Sequence, residues 1–256
     1  MLVPTAAWLA GASIPVVIDV GAHRYSDFFP LVHSEGCHPS RVVNRAVAAA
    51  CDEGGLARRG AVRLLAVEAD PMACEALEQF SHRNYEVICM AVVPAHFPTR
   101  IELKQSEFLD GQCNSVLPFA SADGLPAAAA ACVRTSGSIQ VPAIQLEELL
   151  APLSEVALLK LDIQGLDLAV LSATGRSLRK CQLLQVESQD VDPDSPLLLY
   201  RGAMTTAQLV RFLGGRGFEL VLCWINSAEL REQNCLFRRV SSAEILQIGR
   251  LIFEKV

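Results

Sequence analysis

Short β-branched runs alternate with segments of helical period along most of the chain, the signature of strand–helix–strand units feeding a mainly parallel sheet. The runs Val16–Val20, Val62–Glu68, Tyr85–Val92, Val156–Ile163 and Leu183–Glu187 are near-continuous apolar stretches, as strands covered on both faces require. Between them the spacing predicts helices from Pro71 to about His82, with Asp70 as N-cap, from Leu146 to Leu150, from about Leu166 to Leu178, and from Thr205 to Gly214. Further strands are expected at Val141–Ile144, Phe218–Ile225 and Cys235–Val240, with Ser241 capping a closing helix. The pattern weakens over about residues 94–138, where Ile101–Lys104 alternates like an exposed strand, Asn114–Leu117 suggests another, and Ala127–Ala131 reads as helix or coil. A long interval after the first strand, about residues 26–60, holds helical material near Arg41–Cys51 and reads as an insertion. The expectation is one doubly wound α/β domain over residues 1–256.

Composition sharpens this picture in three ways. A net charge of −6 without a basic run disfavours nucleic acid, whose affinity comes largely from Lys and Arg on phosphates. No apolar run reaches the length of a membrane span, and the apolar stretch Met1–Pro15 lacks the basic start of a signal peptide. Nine cysteines form an odd set with no CxxC pair, and several, such as Cys89 and Cys223, sit in strand-like runs. Read as buried thiols, they point to a reducing compartment, the cytoplasm or the mitochondrial matrix.

Candidate chemistry gathers at the predicted carboxyl ends of strands, where doubly wound sheets bind ligands. The first strand ends in Asp19-Val20-Gly21-Ala22, and a glycine there permits a tight turn and a close backbone approach. Glu68 closes the second strand, where a carboxylate, offering acceptors only, suits the two hydroxyls of a ribose. Lys160 and Asp162 flank Leu161 inside an otherwise apolar strand, and charges so placed usually face a cleft. Glu187 ends the next strand. His23, His33, Cys37 and His38 match no zinc spacing, and no metal site is expected. The GxSxG elbow, the GxGxxG fingerprint and the P-loop are all missing from the sequence.

In order and rough spacing, Asp19-Val20-Gly21-Ala22, Val67-Glu68-Ala69-Asp70-Pro71, Val141–Leu150, Lys160-Leu161-Asp162-Ile163-Gln164-Gly165 and Val186-Glu187 resemble the FkbM-type S-adenosylmethionine-dependent methyltransferases. The resemblance implies a class I methyltransferase-like, seven-stranded sheet. S-adenosylmethionine would lie over the first two strands, at Asp19, Gly21, Ala22, His23, Glu68 and Ala69. Asp162, Lys160 and Glu187 would face a sugar or other small-molecule hydroxyl. The chain departs from the family pattern where His23 replaces asparagine, Tyr25 replaces a second glycine and Gln164 replaces glutamate. With the mean hydropathy of +0.31, these departures motivate a second reading: a catalytically degenerate subunit, buried against protein partners in a larger, mitochondrial assembly.

Overall fold

The computed structural model describes residues 15–23, 62–81, 83–108 and 111–240. The insertion, Tyr25, His33, Cys37, His38 and the closing helix lie outside them. The elements are β1 (Val16–Val20), β2 (Arg63–Glu68), α1 (Pro71–Glu78), β3 (Tyr85–Cys89), β4 (Ala91–Val93), β5 (Arg100–Ser106), α2 (Ala127–Cys132), β6 (Thr135–Gln145) and α3 (Leu146–Leu150). They continue with β7 (Val156–Leu161), α4 (Asp167–Ala173), a 3₁₀ turn (Arg176–Lys180), β8 (Cys181–Gln189), α5 (Thr206–Gly215), β9 (Phe218–Ser227) and β10 (Glu232–Arg239).

Seven strands form one sheet in the order β3-β2-β1-β7-β8-β10-β9. The first five are mutually parallel, and β10 runs antiparallel to both β8 and β9. Side chains alternate across this sheet as strand geometry demands. On one face Ile18, Val20, Leu65, Val67, Leu159 and Leu184 join α3, α4 and α5 through Leu149, Leu171 and Leu213. On the other, Val17, Leu64, Ala66, Tyr85 and Leu158 pack with Leu77 of α1. The expected doubly wound architecture is therefore present, with helices on both faces.

Local differences from the sequence reading have physical causes. The single strand expected over Tyr85–Val92 breaks at Met90: β3 stays in the main sheet, whereas β4 leaves to pair with β6 in a small sheet ordered β4-β6-β5. Asn114–Leu117 is not a strand, since its only ladder contact is the Ser115–Lys104 bridge. The helix expected to reach Leu178 stops at Ala173, where Thr174 turns extended.

The cysteine reading is corrected. Cys74–Cys89, Cys113–Cys132 and Cys223–Cys235 are disulfide-bonded, and Cys181 is buried as a free thiol. Cys89 and Cys223 are thus not free thiols, and the cysteine content loses its bearing on compartment. No helix among the described residues is long and apolar enough to cross a membrane.

Candidate functional site

Strand order reverses beside β1, which lies between β2 and β7, so the crevice of a doubly wound sheet opens at the carboxyl ends of these strands. Backbone bonds set its floor. Gly21 N and Ala22 N both donate to Val67 O, at 2.9 and 3.3 Å, and Asp162 N donates to Val20 O at 3.1 Å. Gly21 has φ +77°, and a Cβ on it would stand 1.8 Å from the carbonyl oxygen of Asp162. Glycine is therefore demanded by the neighbouring backbone as well as by the turn. The Ala22 side chain is buried with Val17 and Leu64.

Glu68 clamps this turn. Its Oε2 accepts from His23 N at 2.6 Å and its Oε1 from Asp70 N at 2.7 Å, while His23 takes φ +46°. Burial pushes the Glu68 carboxyl up to about 7, against the opposing pull of the bonded amides. Ala69, half-buried, sits between the clamped residues. Asp70 caps α1 by accepting from Met72 N and Ala73 N at 2.8 and 3.2 Å. Its second oxygen accepts from Asn114 Nδ2 at 2.8 Å.

Asp19 and Lys160 stand opposite one another on β1 and β7. Lys160 Nζ lies 3.2 Å from Asp19 Oδ1 and 3.5 Å from Asp162 Oδ2. Lys160 and Asp19 are both buried, so the ammonium joins the β1 side of the crevice to the β7 side in a low-dielectric setting.

Beyond β7 the loop Asp162–Leu166 carries a polar network. Gln164, at φ +53°, donates from Nε2 to Asp162 Oδ1 at 2.8 Å and to Glu187 Oε2 at 3.1 Å. Its Oε1 accepts a short bond from the Tyr200 hydroxyl, and its backbone oxygen accepts from Ser115 Oγ at 2.8 Å. Asp167 accepts from Ile163 N and Gly165 N, both at 3.2 Å. A Cβ on Gly165 would lie 3.0 Å from Ala203 Cβ and 3.1 Å from Tyr200 Cβ, which seats the loop tightly on the Tyr200 segment. Glu187 Oε1 accepts from Asn226 Nδ2 at 2.7 Å. Burial, then the nearby Asp162 and Glu232, holds the Glu187 carboxyl well above the ordinary carboxylate range. Burial also pushes Asp167 and Glu232 up to about 7.

The structure thus brings the cofactor and acceptor candidates among the described residues to one end of the sheet, in two groups. Gly21, Ala22, His23, Glu68 and Ala69 form the turn at β1 and β2; Asp162 and Glu187 face each other across Gln164; the Asp19–Lys160 pair lies between the groups. Sequence reasoning missed Asn114, Ser115, Tyr200 and Glu232. The first two come from the segment of weakest pattern yet reach both groups, through Asp70 and Gln164. Among the described residues one set of metal-ligating type converges, Cys74, Glu78 and Cys89, and there the two sulfurs are bonded to each other.

No curated protein matches the sequence. Solved structures that align with the chain include magnesium protoporphyrin IX methyltransferase from Synechocystis with bound SAM, at 11% identity, covering 91% of this chain and 76% of that one with a TM-score of 0.40. The mitomycin 7-O-methyltransferase MmcR aligns at 12% identity over 91% of this chain and 51% of its own, with a TM-score of 0.38. A human methyltransferase 10 domain containing protein aligns at 10% identity over 91% and 74%, with a TM-score of 0.39. A family model described as the methyltransferase FkbM domain matches residues 19–220, from Asp19 beside the β1 turn to Leu220 in β9. The chain belongs to the FkbM methyltransferase family.

Proposed function

We propose that this domain binds S-adenosylmethionine at the Gly21–Glu68 turn and methylates a hydroxyl of a small-molecule acceptor held beside Asp162 and Glu187. The observation that carries the reading is the Glu68 clamp. A carboxylate offers about four acceptor positions, and the amides of His23 and Asp70 each take one on a different oxygen. Each oxygen therefore keeps acceptor capacity for one hydroxyl of a ribose. When bound, the cofactor supplies an electrophilic methyl group on a sulfonium leaving group, so the protein's work is positioning and proton removal.

Asp162 and Glu187 are placed for that work. Held together by the Gln164 amide, they present carboxyl oxygens of which at least one has raised proton affinity. A general base with a pKa nearer neutrality accepts a hydroxyl proton more readily than an ordinary carboxylate. Lys160 acts as a positioning residue: it holds Asp162 in place and ties it to Asp19.

Calorimetric titration with S-adenosylhomocysteine tests the cofactor half. Saturable binding is expected, weakened at least about tenfold in Glu68→Ala, the loss of a charge-assisted hydrogen-bond acceptor. A folded wild-type chain that does not bind would remove methyl transfer and favour the non-catalytic subunit reading. For the acceptor half, Asp162→Asn is expected to lower turnover while leaving cofactor affinity intact.

A further inference from the structure

Beside the Asp162–Glu187 pair a pocket opens between β8, β10 and the Tyr200 segment, lined on its polar side by Asp167, Glu187, Ser188, Gln189, Tyr200 and Glu232. Five of these six side chains are matched within the protein. Asp167 accepts two amides, and Glu187 accepts from Gln164 and Asn226. Ser188 bonds Thr206, Gln189 donates to two carbonyls and accepts from Leu199 N, and Tyr200 donates to Gln164. Glu232 differs. It is nine-tenths buried at 9% exposure, and no described residue gives its carboxyl a hydrogen bond. Burial, then repulsion from Asp162, raises its proton affinity, and Glu187 is a second carboxyl that feels its charge.

A buried carboxyl without a donor is costly, and carboxyls that also repel one another raise that cost. Among the described residues, the recorded ion pair to any of Asp162, Asp167, Glu187 and Glu232 is the one from Lys160 to Asp162, and Lys160 also serves Asp19. The pocket is thus short of positive charge and of donors. A metal ion is a poor candidate to supply them, because these carboxyls are not among the described groups whose ligand atoms converge within 4.8 Å. An anion would meet three carboxyls and no cationic side chain in this lining.

We infer that this pocket receives a protonated amine of the methyl acceptor, with Glu232 as its counter-ion and the Tyr200 ring as an aromatic wall. An alkylammonium brings three donors and one positive charge on a compact head, which is what the pocket lacks. The acceptor class is therefore an amino alcohol or amino sugar, whose ammonium is anchored at Glu232 while its hydroxyl lies toward Asp162. This rests on the methyl-transfer reading for the hydroxyl, and on the pocket alone for the amine.

The test is ligand-observed NMR titration of the full chain with matched pairs: glucosamine against glucose, and 2-amino-1-phenylethanol against 1-phenyl-1,2-ethanediol. Affinity for S-adenosylhomocysteine is measured on the same samples. At least one amine is expected to bind about tenfold or more tightly than its neutral counterpart, and Glu232→Gln, nearly isosteric, to erase that preference. Met204→Lys, which tethers an ammonium at the pocket lining, is expected to abolish amine binding without the loss of a buried carboxylate. No preference for either amine, or a preference that survives both substitutions, overturns the assignment. Amine preference without S-adenosylhomocysteine binding would instead remove methyl transfer and leave the ammonium pocket standing.

Discussion

At position 164 an amide stands between two carboxylates and a phenol, donating to Asp162 and Glu187 and accepting from Tyr200. A glutamate there would set a third carboxyl against two others and remove both donors. Gln164→Glu, although it restores the family's usual residue, is expected to lose about 1–3 kcal/mol of stability, the range for buried acceptors left without partners. The loss should be greater at pH 8 than at pH 6, because the added group ionises. Urea denaturation at both pH values measures it, and unchanged midpoints would show that the amide does not hold the pair together. At position 21 a methyl group would collide with the Asp162 carbonyl at 1.8 Å. Gly21→Ala is expected to destabilise by about 3 kcal/mol, combining overpacking with a left-handed backbone. A stability within 0.5 kcal/mol of wild type, a margin typical of neutral surface changes, would contradict the close approach described above.

Among elements, α1 is held at its start and at its middle. Its first turn is capped by Asp70, and Cys74 is bonded to Cys89 at the end of β3 across 15 positions. Closing a loop of that size contributes roughly 3 kcal/mol in the chain-entropy account. Cys74→Ser with Cys89→Ser, or treatment with a thiol reductant, is therefore expected to lower the melting temperature measured under oxidising conditions. Coincident melting curves with and without reductant would show that this bridge and its two companions add nothing. Elements also show what was readable in the sequence. β1, β2, β7 and β8 announce themselves because strands covered on both faces are nearly unbroken apolar runs, and the acids at their ends, Asp19, Glu68, Asp162 and Glu187, interrupt those runs. The first four residues of β6, Thr135–Ser138, carry no apolar pattern because they are exposed, so the strand was expected to begin at Val141. The apolar run predicts β10 from Cys235 only, because Glu232, Gln233 and Asn234 at its start are polar. Its inward face becomes visible only once Glu232 is counted in phase with Asn234 and Leu236. Ser115 and Tyr200 meet the Gln164 loop across 49 and 36 positions, distances that no local pattern encodes.

For the whole molecule, three buried carboxyls share one electrostatic bias. Glu68, Asp167 and Glu232 are each pushed up to about 7, chiefly by burial. In the unfolded chain they ionise near 4, so between about pH 4 and pH 7 the folded state binds more protons than the unfolded state. Stability therefore falls as pH rises through that window: the contribution is fully present below the unfolded values and is lost above about 7. Each unit of difference corresponds to about 1.4 kcal/mol. A drop of roughly 2–3 kcal/mol for each of the three groups, several kcal/mol in all, is expected between pH 5 and pH 8, read by urea denaturation, and Glu68→Gln should make the profile shallower. A rising profile over that interval would mean that these carboxyls are ionised in the native crevice.

The carbonyl that excludes a side chain from position 21 belongs to the neighbouring strand's end, not to any ligand. Any descendant that preserves the β1–β7 alignment must therefore keep glycine there, including one that has abandoned methylation. A glycine kept at this place in a relative would record inheritance of the sheet's register, and a sequence survey that counted it as a mark of activity would enrol silent copies alongside working ones. Glu232 is the better witness, since no described residue bonds its carboxyl into the fold, whereas Glu68 braces the turn through the His23 and Asp70 amides.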